Sequence, residues 1–276
     1  MEVRYSPDKN GFEMMTTEEL REAFLIELFE ENTIQLVYSD IDRSISGSAV
    51  PLKDELKLIA SKKEMAADYF LQRRELGVIN IGGPGSVIVD GRFFTLAHKD
   101  ALYMGKGTKD ISFLSDNSEK PAKYYLLSYP AHTEYPTRLA KFSEASPLHL
   151  GSEKESNKRT IYKYIYPDGI PSCQLVMGLT ELDEGSVWNT MPAHTHQRRS
   201  EIYMYFNLPD DNFIVHLIGD PTETKHLIIR NEQAVLSPSW SLHSGAGTTN
   251  YSFIWGMGGE NQDFDDMDWI PMKEIR

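Results

Sequence analysis

The sequence predicts a mainly β fold: two related antiparallel β-barrels or jelly rolls in one chain, with few short helices. Three observations carry this prediction. Apolar runs are short and closely punctuated by Gly, Pro, Asn and Asp, the pattern of short strands joined by tight turns. A stretch of the first half recurs in the second, the signature of a duplicated unit. Helix-start chemistry is prominent near the N-terminus and little elsewhere. A chain of 276 residues accommodates two domains of ordinary size.

In chain order, Thr16-Thr17-Glu18-Glu19 before Leu20 reads as a capping box that opens an amphipathic helix running to about Glu30. Strands are then expected at 35–39, 77–81, 86–90, 93–96, 111–114 and 123–128. Asp90-Gly91 between the third and fourth of these is a two-residue hairpin signal. A second set is expected at 173–179, 201–208, 213–218, 226–230, 233–236 and 251–255. The segment 72–80 matches 197–205 in its opening Gln-Arg-Arg and the apolar run that follows, and 102–107 matches 242–247. The offsets of 125 (197 − 72) and 140 (242 − 102) require insertions in the second copy, for example around Pro221 to Lys225. The expected division is therefore an N-terminal domain at 1–150 and a C-terminal domain at 151–276. The polar stretch Gly151 to Arg159 stands between the copies.

Composition narrows the function. With 41 acids against 28 bases the net charge is -13, which excludes a nucleic-acid partner and means that a small anionic ligand needs a local basic patch. No apolar run approaches the roughly 20 residues of a membrane helix, and Met1 to Asn10 lacks the apolar core of a signal peptide. Cys173 is the single cysteine, so there is no intrachain disulfide; a reducing cytoplasm is expected, and any metal must use His and carboxylate ligands.

His194-Thr195-His196 is the key pattern. Residues i and i+2 of a strand share a face, so both imidazoles reach one ion. Glu201 follows five residues on, after the polar Gln197 to Ser200, and a turn there lets it open the next antiparallel strand beside them. His243, closing Pro238 to His243, is a fourth ligand from a neighbouring strand. Three imidazoles and one carboxylate suit Zn, Fe, Mn or Ni. In the first copy the matching positions are Tyr69, Leu71, Leu76 (or Glu75, by register) and Tyr103, so only the second copy is expected to hold metal.

These four residues resemble the metal motifs of the cupin superfamily, although Trp188, Trp240 and Gly247 stand where that pattern has Gly, Gly and Asn. The segments 76–83, 100–107, 188–196, 236–245 and 253–261, together with the end at Phe264 to Asp268, resemble the 5-keto-4-deoxyuronate isomerases of pectin and uronate breakdown over nearly the whole chain. The resemblance implies a double cupin, zinc on His194, His196, Glu201 and His243, a bacterial cytoplasmic setting and a homohexamer. It also implies a small anionic sugar acid as substrate, whose carbonyl moves from C1 to C2. Such a shift needs an electrophile at the two oxygens, a base for the C2 proton and an anchor for the carboxylate. Glu260, His132, Lys163, Tyr203 and Tyr205 are candidates for the base; Arg198, Arg199 and Arg159 are candidates for the anchor, or else bridge subunits or face solvent.

The remaining features read as structural. Gly82 to Gly85 is a turn, since no helix with Lys-Ser/Thr follows, and Pro130 to Glu134 is a linker or cavity edge rather than a second metal site. His216 and His226 are hydrogen-bonded core or cavity residues, Trp188, Trp240 and Trp255 are packing residues, and Asp263 to Asp268 is a solvated tail or subunit contact. Two competing readings are an iron-dependent cupin dioxygenase, which would use the same four ligands, and a non-enzymatic sugar-binding bicupin, which would not need the complete set.

Overall fold

A computed structural model describes residues 1–263 and 266–276; Phe264 and Asp265, part of the acidic run and of the terminal motif, lie outside the described residues. Four antiparallel-rich sheets make up the fold. In the first seven-stranded sheet the strand order is Glu2–Arg4, Ile34–Ser39, Ile45–Ala49, Tyr124–Pro130, Arg74–Asn80, Ala101–Met104 and Arg138–Ala140. A four-stranded sheet accompanies it, in the order Leu56–Lys57, Ile111–Ser115, Gly85–Val89 and Arg92–Leu96. Leu76, Val78, Val87, Leu102, Phe113 and Leu126 meet in the buried core of this unit. The second seven-stranded sheet runs Pro147–Leu150, Arg159–Ile165, Val176–Leu182, Ser252–Gly259, Arg199–Phe206, Gln233–Ser237 and Leu25–Glu27. Its companion has five strands: Glu223–Ile229, Ile214–Asp220, Leu242–Gly247, Trp188–Thr195 and Asp268–Trp269. Among the described residues no helix is long and apolar enough to cross a membrane.

Local chemistry explains several elements. Thr16 caps the helix Thr17–Phe24 in a full capping box with Glu19. That helix ends at Phe24 rather than near Glu30, because Leu25–Glu27 is recruited as a strand against Gln233–Ser237. Asp90 and Gly91 both take the left-handed conformation, with φ of 47° and 79°, as a two-residue hairpin of this type requires.

The chain forms two compact units: 1–4, 28–145 and 164–176 in one, and 5–27, 146–163 and 177–276 in the other. The expected division at 150/151 differs from this in three places: residues 5–27, held by the pairing of Leu25–Glu27, and 146–150 go with the C-terminal unit, and 164–176 go with the N-terminal one.

The repeat is real at its first landmark and mistaken at its second. Arg74–Asn80 and Arg199–Phe206 both hold fifth place in their sheets, with Arg74 opposite Pro130 and Arg199 opposite Gly259. By this register Glu201 corresponds to Leu76, not Glu75. Residues 102–107, however, begin on the sixth strand of the large sheet, whereas 242–247 lie in the smaller one. Counting from the hairpins closed by Val89–Arg92 and Asp220–Glu223, Phe113 faces Val87 as His243 faces Ile218. Phe113, rather than Tyr103, therefore matches His243. Leu56, opposite Phe113, matches His194, opposite His243, in place of the expected Tyr69. The first barrel thus carries leucine and phenylalanine where the second carries ligands.

Candidate metal centre

His194 and His196 leave the end of Trp188–Thr195, and a short turn brings the chain back at Arg199, two residues earlier than expected, so that Glu201 sits inside the next strand. His243 comes from the adjoining strand, directly opposite His194. All four side chains are buried. His194 Nε2 lies 3.2 Å from His196 Nε2 and 3.1 Å from His243 Nε2. Glu201 Oε2 lies 3.1 Å from His196 Nε2 and 2.7 Å from His243 Nε2. One ligand atom from each of the four falls within 4.8 Å of all the others. Ligands at about 2.0–2.1 Å from a shared ion are separated by roughly 3.0–3.4 Å, so this spacing fits a divalent cation in four- to six-fold coordination. It is the single group of this kind among the described residues, and the segment Pro130 to Glu134 forms none.

The surroundings prepare the donors. His196 Nδ1 donates to the backbone carbonyl of Asp266, and Ser237 Oγ lies 3.4 Å from His243 Nδ1, which leaves the Nε2 lone pairs facing the centre. Burial, then the neighbouring His243, pushes the His194 pKa down to about 2, keeping it a neutral ligand. Burial alone would raise Glu201, but the imidazoles of His243 and His196 beside it hold it well below the usual carboxylate range. His194 Nδ1 has no hydrogen-bond partner among the described residues.

A cavity of about 130 Å³ opens onto three of the ligands, His194, His196 and Glu201. Its polar edge is Arg159, Thr180, Thr190 and Tyr203, and its walls include Met191, Phe253, Trp255, Met257 and Trp269. Of the sequence candidates, Arg159 and Tyr203 line this cavity and the others do not. Tyr203 shares a 2.9 Å hydrogen bond with Thr190 Oγ1, and burial followed by the Glu201 charge raises its pKa well above 10, so it stays a phenol. Tyr205 points into a buried polar string, meeting His216 Nδ1 at 2.7 Å and accepting from Asn189 at 3.5 Å, while Asn189 donates to Tyr251 at 2.8 Å. Arg199 is fully buried, with Asp266 Oδ2 at 3.4 Å from its Nε; it supports the segment that holds His196. Arg198 and Glu260 are exposed and lie 3.8 Å apart. Lys163 is half-buried on Arg159–Ile165, and His132 is an exposed residue of the first unit.

Sequence reasoning took Trp255 for packing and overlooked Phe253 and Met257, yet the three alternate along one strand and so share the cavity face. Trp240 packs edge-on against Phe12, as expected of a packing residue. His216 is buried and hydrogen-bonded as expected, but His226 is exposed, on the outward side of an edge strand.

A family model described as KduI/IolB matches residues 24–272. The chain belongs to the KduI/IolB family. Within it, the chain is 56% identical to the 4-deoxy-L-threo-5-hexosulose-uronate ketol-isomerase of Lachnoclostridium phytofermentans and 54% identical to that of Caldicellulosiruptor bescii, covering 100% of each chain. Among solved structures, an IolB-like protein from Salmonella typhimurium LT2 superposes with a TM-score of 0.72 at 16% identity, over 90% of this chain and 96% of that one. An oxalate decarboxylase superposes with a TM-score of 0.59 at 10% identity, over 87% and 78%. At such identities the structural likenesses show the fold alone: the KduI/IolB chain is a double cupin.

Proposed function

We propose that this chain is a ketol-isomerase that converts 4-deoxy-L-threo-5-hexosulose uronate into 3-deoxy-D-glycero-2,5-hexodiulosonate, with zinc held by His194, His196, Glu201 and His243. The observation that carries this reading is the convergence of that donor set on a cavity with one guanidinium, in a chain more than half identical to enzymes of that name. In the reaction the C2 proton leaves, its electron pair forms the C1–C2 double bond of an enediol, and a proton is then placed on C1 as the C2 oxygen becomes the carbonyl. A divalent ion on the four ligands supplies the positive charge that stabilises the oxygens at C1 and C2. Arg159 anchors the substrate carboxylate through a charge-assisted hydrogen bond. Tyr203, kept protonated, donates to a substrate oxygen, and the apolar walls exclude water from the intermediate. The family resemblance further supports a role in pectin-derived uronate breakdown in a bacterial cytoplasm, and assembly as a homohexamer.

The test is to incubate the purified protein with the hexosulose uronate and follow the carbonyl shift by NMR, with an oxygen electrode in parallel. Turnover without oxygen uptake, abolished by chelator and restored by zinc, is expected. Oxygen consumption would instead support the iron dioxygenase reading. Glu201→Gln is expected to lose bound metal and at least about 100-fold in turnover, more than the loss of an outer-shell partner. Full turnover by the metal-free variant would defeat the proposal.

A further inference from the structure

The first unit contains a second cavity, larger than the one at the metal centre, that the isomerase reading does not use. It has a volume of about 450 Å³ and is lined by Arg43, Lys63, Arg73 and Arg74 together with apolar Ile45, Met65, Phe70 and Pro130. Arg74 is the informative residue. It is only 8% exposed, and no carboxylate among the described residues lies within ion-pair distance of it. Its Nε donates to Ser128 Oγ at 3.1 Å, and its Nη2 donates to the Arg43 carbonyl at 2.6 Å and to the Ser128 carbonyl at 2.8 Å. Those bonds fix the guanidinium and use the Nε and Nη2 hydrogens, while Nη1 has no partner among the described residues. The adjacent acid does not help: both Glu75 oxygens are taken by Tyr103 and by the backbone N–H groups of Cys173, Gln174 and Leu175.

A buried guanidinium is ordinarily neutralised. Comparison with the other unit sharpens the point. Arg199 occupies the same register position in its sheet and has Asp266 Oδ2 at 3.4 Å. The first unit keeps the arginine, lacks the acid and opens a cleft in its place. Arg43 and Arg73 add two more guanidiniums at the rim without a carboxylate partner, Arg73 donating instead to the carbonyls of Met65 and Ala66. The one acid lining the cleft, Glu64, is engaged by the amino group of Met1 at 2.9 Å.

We infer that this cleft is a binding site for a small organic dicarboxylate, one carboxylate capping Arg74 Nη1 and the other held by Arg43 and Arg73, with the carbon chain against Ile45 and Phe70. Guanidinium groups match carboxylates in both charge and fork geometry. The apolar lining favours a carbon skeleton over inorganic phosphate. The site is independent of the metal centre.

Calorimetric titration of the full, zinc-loaded chain with succinate tests this, with inorganic phosphate and acetate as comparison probes. Because carboxylates also approach zinc, the titration is repeated on His243→Ala. Saturable succinate binding that survives in His243→Ala, exceeds that of phosphate and acetate, and weakens about tenfold or more in Arg43→Glu is expected. Arg43 is exposed and its side chain makes no hydrogen bond or ion pair among the described residues, so that variant keeps the fold; Arg74→Met, checked by circular dichroism, is the second probe. Binding that disappears with the metal site, binding indifferent to both arginine variants, equal binding of phosphate, or no binding at all would each overturn the inference.

Discussion

Acidification is expected to destabilise this protein through His216, a residue that is neither a ligand nor exposed. Its side chain is wholly buried, with Nδ1 against the Tyr205 hydroxyl at 2.7 Å and Nε2 without a partner among the described residues. Burial, then the neighbouring His243, lowers its pKa from 6.5 to about 3. The folded state therefore holds the imidazole neutral at pH values where the unfolded chain protonates it. The stabilisation is complete above about pH 6.5 and is lost as the pH falls toward 3. Between pH 7 and pH 5 the linkage relation gives a loss of about 2 kcal/mol from this one group. His216→Gln removes the titration while leaving an acceptor for Tyr205. Calorimetry of zinc-saturated wild type and variant at the two pH values is the assay. The variant should be less stable at pH 7, but its melting temperature should fall by roughly 4–8 °C less than that of the wild type on acidification. An equal fall in both would refute the assignment of His216 as a buried neutral histidine.

Two further outcomes follow from the contacts. Arg159→Met should lower kcat/KM by about 10–100-fold, chiefly through KM, with partial recovery in Arg159→Lys, because a single charge-assisted bond to the substrate carboxylate is lost; steady-state kinetics on the uronate checks this. Glu75→Gln places an amide NH2 against two of the donors that the carboxylate now accepts, and should reduce stability by about 2–4 kcal/mol in urea unfolding.

What the sequence revealed was the chemistry that depends on nearby residues. The pair at 194 and 196, the return of the chain to Glu201, the capping box at Thr16 and the Asp90-Gly91 hairpin all follow from periodicity or turn preference within a few residues. What it concealed depends on distant partners. Leu25–Glu27 reads as the end of a helix until Gln233–Ser237 is there to pair with it. Ile45–Ala49 is buried at every position although its sequence is Ile-Ser-Gly-Ser-Ala, so no apolar alternation announces it. The false match of 102–107 to 242–247 arose because both segments carry Gly-x-Gly after a short start; Lys106-Gly107 forms a turn, whereas Gly245 and Gly247 lie within the strand Leu242–Gly247, and such local likeness does not say which sheet a strand joins. Asp266, whose backbone receives His196 and whose carboxylate meets Arg199, offered no signal within an acidic run that looked merely solvated.

The two barrels show what a metal site demands of a β-barrel core. Where the first has Leu76 and Phe113 in its apolar cluster, the second has Glu201 and His243, both equally buried. The first choice gains stability from burial without any condition attached. The second faces opposed penalties, since desolvation disfavours the ionised carboxylate and any protonated imidazole alike. Mutual contact answers part of this, because Glu201 is drawn down by the imidazoles at 2.7 and 3.1 Å. Yet three inward-facing nitrogens still crowd lone pair against lone pair, and only a cation at their centre turns that repulsion into bonding. Duplication supplies a way to keep both solutions: one barrel contributes an apolar core, and the other accepts a costly polar interior whose stability is linked to the ion that its proposed chemistry requires.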